Sequence, residues 1–177
     1  GNGHIIATMN SLTDKRVNMK LYEASQAGVR VDLIIRGICC LKPQVPGVSE
    51  NIHVRSIVGR FLEHSRIYYF HHNGDENLFL SSADMMTRNM IKRVEIEFPI
   101  LDRAIKKEIL SLMDVYLADN TKARELHPDG TYRHVRNDKP AVDAQKYFME
   151  LANKEKEIPI LSEKDSWLKK IQRRFKK

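Results

Sequence analysis

Histidine, arginine, serine and aspartate crowd into one stretch of this sequence, between Arg55 and Arg93. It holds Gly59-Arg60-Phe61-Leu62-Glu63-His64-Ser65-Arg66 and, further on, Leu80-Ser81-Ser82-Ala83-Asp84-Met85-Met86-Thr87-Arg88-Asn89. His64 and Arg66 stand two apart where a strand is predicted to begin, so their side chains share one face. Ser81, Ser82 and Asp84 close the next predicted strand, where open α/β sheets gather ligands. A histidine beside a cation and small hydroxyls suits a phosphate: imidazole donates to or protonates a phosphoryl oxygen, and guanidinium binds two oxygens at once. Arg36 is a further candidate, because it opens a loop directly after the apolar run Val29–Ile35.

Each of these residues also has an ordinary structural explanation. By default an arginine at the mouth of a strand is solvated or paired within the fold, and a lone histidine is a hydrogen-bonded structural group. An Asp84–Arg88 ion pair along a helix accounts for both residues without a ligand. Met85, Met86 and Met90 read as core, His71-His72 as exposed residues beside a turn, and Cys39-Cys40 as small packing residues rather than a redox pair.

The elements that must position the candidates follow from periodicity. His4–Met9 reads as a strand, followed by a helix with Ser11 or Thr13 as N-cap, an apolar face of Val17, Leu21 and Ala24, and a stop near Gly28. Val29–Ile35 is a β-branched run of the kind buried on both faces. This strand–helix–strand order predicts a right-handed crossover and parallel pairing. Residues 36–50 form a loop punctuated by Gly37, Pro43, Pro46 and Gly47, and Ile52–Val58 is a third strand. Ile67–Phe70 and Leu78–Leu80 pair through the turn Asn73-Gly74-Asp75. Val94–Phe98 alternates as a half-buried or edge strand does. Leu101, Ile105, Ile109, Leu112 and Tyr116 mark a long amphipathic helix. A hairpin around Pro128-Asp129-Gly130 and a helix over residues 141–154 complete the reading. The fold class is α/β, with a mixed, partly parallel sheet flanked by helices.

The chain has 177 residues, 42% of them hydrophobic and 30% charged, which is enough for one globular domain. No run approaches the roughly 20 apolar residues of a membrane span. The N-terminus lacks the pattern of a signal peptide, so a cytoplasmic, reducing setting is expected. Gly1 in place of Met suggests an excised piece of a longer protein. The net charge of +7 favours polyanionic partners: nucleic acid, an anionic membrane surface, nucleotides or polyphosphate. Part of it sits in the tail, where Trp167, Leu168, Ile171 and Phe175 alternate with lysine and arginine. We divide the chain into a domain over 1–155 and a basic amphipathic tail over 156–177. The favoured role of the tail is docking on its own or a neighbouring domain. The alternative is a peripheral contact with the inner membrane surface.

The pattern His64-x-Arg66 with the downstream Ser81-Ser82 stretch resembles the phospholipase D superfamily, whose motif is His-x-Lys, then Asp, then Gly/Ser-Ser-x-Asn. Here Arg66 replaces the Lys, His71 stands at the Asp position and Asp84 at the Asn position, which argues against phosphodiesterase activity. A narrower resemblance rests on Met9–Lys15, Leu21–Ser25, Ile35–Leu41, Ser56–His64 and Leu80–Asn89: from about His4 to about Leu151 the chain is similar to the C-terminal domain of bacterial polyphosphate kinases. That resemblance implies a phospholipase-D-like fold and an ATP:polyphosphate phosphotransferase working through a phosphohistidine. It implies nucleotide contacts for Arg36 and His64, with His64 also assisting phosphoryl transfer. Arg60, Arg66, Ser82, Asp84 and Arg88 are second-rank candidates to line the pocket. The phosphorylated histidine and the ligands of Mg2+ are expected in the preceding domain of the same chain, so no metal site is expected here. The implied partners are ATP or ADP, inorganic polyphosphate, the preceding domains and further copies in a homo-oligomer. The alternatives are a phospholipase-D-type phosphodiesterase or nuclease, and a non-enzymatic nucleic-acid-binding module.

Overall fold

A computed structural model describes residues 2–155, so the expected basic tail lies outside the described residues. The elements run β1 (His4–Met9), α1 (Lys15–Gln26), β2 (Arg30–Ile35), β3 (Ile52–Ile57), β4 (Ile67–His72), β5 (Asp75–Ser81), α2 (Thr87–Lys92), β6 (Glu97–Pro99), α3 (Arg103–Ala118), β7 (Ala123–Leu126), β8 (Tyr132–His134) and α4 (Ala144–Glu155). The chain divides into two units, residues 1–144 and 145–177. The described part of the second is the body of α4, where the rings of Tyr147 and Phe148 meet edge to face and Lys146 faces Glu150 one turn on.

The first unit is built on an eight-stranded sheet in the order β6-β5-β4-β1-β2-β3-β7-β8. β1, β2 and β3 are parallel neighbours, and the remaining pairs are antiparallel. The side chains of the central strands alternate between two cores, as the period of two requires. Ala7, Met9, Leu33 and Val54 face one core, which Leu21, Val17 and Tyr22 of α1 cover. Ile6, Ile67, Tyr69 and Leu78 face the other, closed by Met113, Ile109 and Leu112 of α3. Leu33 is fully buried, and truncating such a side chain to alanine costs about 2–5 kcal/mol.

The β4–β5 hairpin turns on two residues, with His72 paired to Asp75 and both Asn73 and Gly74 at positive φ. That is the turn an Asn-Gly pair favours, and its twist matches the strands it joins. At the end of α1 the chain reverses through Gly28 at φ +84°, a left-handed stop as expected.

Three expectations need correction. The N-cap of α1 is Asp14, whose Oδ1 accepts from Arg16 N and Val17 N, and not Ser11 or Thr13. Leu12 is held in bridges to Cys39 and Met85, so the backbone stays extended past Thr13. The strand expected over Val94–Phe98 shrinks to β6, an exposed edge of three residues. The Ser82 hydroxyl takes the N–H of Ile96, so regular pairing begins only afterwards. Met90 is 44% exposed instead of core, because α2 is a six-residue helix that turns Asn89 inward.

Candidate functional site

The sheet topology gathers the candidate residues at one end. β1 and β2 are parallel and in register from His4↔Arg30 to Met9↔Ile35, so Asn10 and Arg36 leave the sheet side by side. β4 runs against β1 with Thr8 opposite Ile67, which brings His64 and Arg66, just before β4, to that same end. β5 reverses again with Leu80 opposite Ile67, so Ser81 through Asp84 leave the sheet there too. Main-chain bonds tie these exits together: Gly37 N donates to Asn10 O at 2.8 Å and Ser81 N to Arg66 O at 3.1 Å. Gly37 fits tightly at this crossing. A Cβ there would stand 3.0 Å from Asn10 O and 3.3 Å from Ser11 Oγ.

A side-chain relay crosses this end. Arg36 Nη2 donates to Asn10 Oδ1, and Asn10 N donates to Asp84 Oδ1 at 2.7 Å. Asp84 is 2% exposed and receives Arg66 through two bonds, Nε to Oδ1 at 3.1 Å and Nη2 to Oδ2 at 3.2 Å. The third guanidinium nitrogen of Arg66, Nη1, faces His64, 3.0 Å from its carbonyl oxygen and 3.1 Å from its Nδ1. The two leading candidates are thus joined through Asn10, Asp84 and Arg66. Arg36 spends one N–H on Asn10, and its buried Nε has no partner among the described residues, so hydrogen-bonding capacity remains.

Two spaces open on either side of Ser65. A small cavity of about 10 Å³ is lined by Arg36, Thr8, Glu63, Ser65 and Tyr116. An open groove of about 860 Å³ is lined by the polar His64, Ser65, Arg66, Ser82 and Arg93 together with the apolar Leu80, Ile96, Phe98, Ile109 and Leu112. His64, Arg66 and Ser82 line this groove, while Asp84 is buried and does not. Ser82 directs its hydroxyl to Glu95, and that bond, then the one from Asn89, holds the Glu95 carboxyl below the usual carboxylate range against the opposing effect of burial. Arg88 is exposed on α2. The expected Asp84–Arg88 pair gives way to Asp84–Arg66, since Asp84 precedes α2 and lies beneath Arg66.

Asn10 and Arg93 belong to this site and escaped sequence reading. Asn10 lies just beyond β1 inside the run Met9–Lys15, but only the strand order places it against residues 26 and 74 positions away. His71, at the phospholipase D motif's Asp position, sits near the far end of β4 and bonds Asn2 O. Burial pushes the Cys39 thiol up to about 11, whereas Cys40 is exposed and is not the packing residue expected. Among the described residues no group of three or more His, Cys, Asp or Glu side chains gathers to hold a metal.

This α/β architecture is the phospholipase-D-like one. The structure of NucT from Helicobacter pylori shares it at a TM-score of 0.51 and 13% identity, over 64% of this chain and 78% of that one, a likeness of fold alone. Residues 1–145 match the family model described as polyphosphate kinase C-terminal domain 2, and the chain belongs to that family. It is 53% identical to the polyphosphate kinase of Staphylococcus haemolyticus over its whole length, and 66% identical to that of Bacillus cereus over 77% of its length. The crystal structure of polyphosphate kinase from Porphyromonas gingivalis superposes at a TM-score of 0.83 with 43% identity, over 88% of this chain. The chain spans 26%, 20% and 24% of those three proteins, respectively.

Proposed function

We propose that this domain forms a nucleotide- and polyphosphate-binding wall of a kinase that reversibly moves the terminal phosphate of ATP to polyphosphate. The observation that carries the reading is the convergence of Arg36 and His64 at one sheet end, joined by a relay that anchors both. Arg36 would bind phosphate oxygens with the N–H groups it does not spend on Asn10. His64 would donate a ring N–H to a phosphoryl oxygen as charge builds on it. Arg60, Arg66, Ser82, Asp84 and Arg88 are the second-rank residues of this reading, to which Arg93 is added from the groove.

Phosphoryl transfer would proceed through a phosphohistidine supplied by other domains of the same protein, which also hold Mg2+. The partners are ATP or ADP, inorganic polyphosphate, those domains, and further copies in a homo-oligomer. No helix of the described residues is long and apolar enough to cross a membrane. We assign the protein to the cytoplasm, with a peripheral membrane contact left to the basic tail.

The test is nucleotide binding by the full-length protein. Arg36→Ala should weaken ATP binding and slow transfer, and Arg36→Lys should restore only part, since an ammonium cannot reproduce a two-pronged contact. Unchanged ATP affinity in Arg36→Ala would remove Arg36 from the site. The 177-residue chain alone should make no polymer from ATP, and polymer formation by it would contradict the division of labour proposed.

A further inference from the structure

The relay that joins Arg36 and His64 has one residue at its centre. Asp84 lies just beyond β5, where Ala83 N is held by the Ser81 hydroxyl at 3.0 Å and Met86 N turns back to Asp84 O at 2.8 Å. Its carboxylate is buried, so both oxygens need partners. Oδ1 takes the main-chain N–H of Asn10 and Arg66 Nε, and Oδ2 takes Arg66 Nη2. The Arg66 side chain is only 13% exposed. With Nε and Nη2 committed to one carboxylate, the plane of its guanidinium is set, and with it the direction of Nη1 toward His64.

A guanidinium can only donate. Nη1 donates to the His64 carbonyl oxygen at 3.0 Å and stands 3.1 and 3.4 Å from the ring's Nδ1 and Nε2, so it packs against the face of the imidazole. On the other side, Asp84 holds the Asn10 main chain, and Asn10 Oδ1 holds Arg36 Nη2.

We infer that Asp84 is the positioning residue of this site: buried and untouched by ligand, it sets the ring of His64 through Arg66 and the guanidinium of Arg36 through Asn10. On this view Arg66 is a strut, with Nε, Nη1 and one N–H of Nη2 engaged within the protein. The inference rests on the nucleotide-site reading above, which it deepens.

The test uses the full-length protein. Asp84→Asn keeps the shape and one acceptor oxygen but loses the charge and the two-pronged hold. It should lower turnover on the order of 10²-fold, the scale of a misplaced reacting group. Arg66→Lys, a variant that leaves Asp84 a cationic partner, should reproduce the loss in turnover even if Asp84→Asn fails to fold. The discriminating readout is a double-mutant cycle: in a His64→Ala background Arg66→Lys should add little to the loss of turnover, because its route is already gone, whereas Asp84→Asn should add only the part it loses through Arg36. Full multiplication of the two losses, or parental kinetics in both single variants, would overturn the inference. Should His64→Ala and Arg36→Ala themselves prove silent, the nucleotide-site reading fails. Crystal structures of the Asp84 and Arg66 variants then decide the positioning claim by themselves: it stands if the ring of His64 and the guanidinium of Arg36 have moved, and falls if both remain in place.

Discussion

Two buried aspartates of this domain divide between holding the fold and holding the site. Asp119, at the C-terminus of α3, is fully buried and spends its carboxylate on main-chain donors. Oδ1 accepts from Thr121 N, Lys122 N and Ala123 N at 3.1, 2.8 and 3.0 Å, and Oδ2 from Ala144 N at 2.8 Å. Asp84 is nearly as buried, yet it receives one main-chain N–H and a guanidinium that reaches onward to a groove-lining histidine. The difference teaches that burial of a charged residue does not tell its role. A carboxylate saturated by backbone fastens the chain to itself, whereas one paired with a side chain that leads to a cleft sets where that side chain can point.

The largest expected effect on stability lies on the Asp119 side of this comparison. Asp119→Ala strands four main-chain donors and should cost roughly 3–5 kcal/mol, read from chemical denaturation of the 177-residue chain. Its effect on turnover, per folded molecule of the full-length protein, should be small. Asp84→Asn should show the opposite profile, with turnover lost out of proportion to stability. If the two variants lose stability and turnover in the same ratio, the distinction between them is unfounded.

Gly37→Ala sharpens the comparison at the next level. The added methyl presses on Asn10 O and Ser11 Oγ, and overpacking of this kind costs about 1–3 kcal/mol. Because Asn10 links Asp84 to Arg36, the same change should weaken ATP binding several-fold in the full-length protein, as titration calorimetry can measure. Loss of stability with parental affinity would mean that Asn10 has no part in placing Arg36.

The smallest effect concerns a third aspartate, the cap of α1. The Thr87 hydroxyl, outweighing burial and helped by Val17 N and Arg16, holds the Asp14 carboxyl below its ordinary value of 3.8. A carboxyl lowered by folding contributes stability above its unfolded value, and that contribution is lost as the pH falls through the folded one. Denaturation midpoints should therefore drop below about pH 4. Asp14→Asn, which still caps the helix but does not titrate, should shed less stability over that range. An identical acid limb in both proteins would show that Asp14 does not contribute to it.

Much of the frame was legible in the chain because its signals are local. The β-branched run before Arg36 marks β2, Asn73-Gly74 marks the hairpin, and the spaced apolar residues mark α3, although Leu101, the first of that series, lies exposed ahead of the helix. The failures share a cause: each depends on a partner far away in sequence. Asp14 outcompetes Ser11 and Thr13 as the cap because Leu12 is held by Cys39 and Met85. β6 starts late because a hydroxyl 14 positions earlier takes the N–H of Ile96. At the site, Arg36 and His64 stood out through motif and resemblance, but Asp84 was matched with Arg88, four residues away, when its partner is Arg66, 18 residues before it. Asn10 carries no local mark of its role, since its importance comes from strand order alone.

The most direct test of the central claim, that this sheet end handles phosphate, is the steady-state turnover of ATP by full-length His64→Ala. The account predicts a fall in kcat on the order of 10²-fold or more with a smaller rise in KM, the pattern of an interaction made chiefly in the transition state. The circular dichroism spectrum should match the parent, because His64 is exposed and belongs to no strand or helix. Parental kcat in an intact His64→Ala protein would contradict the account and place the chemistry of this domain elsewhere.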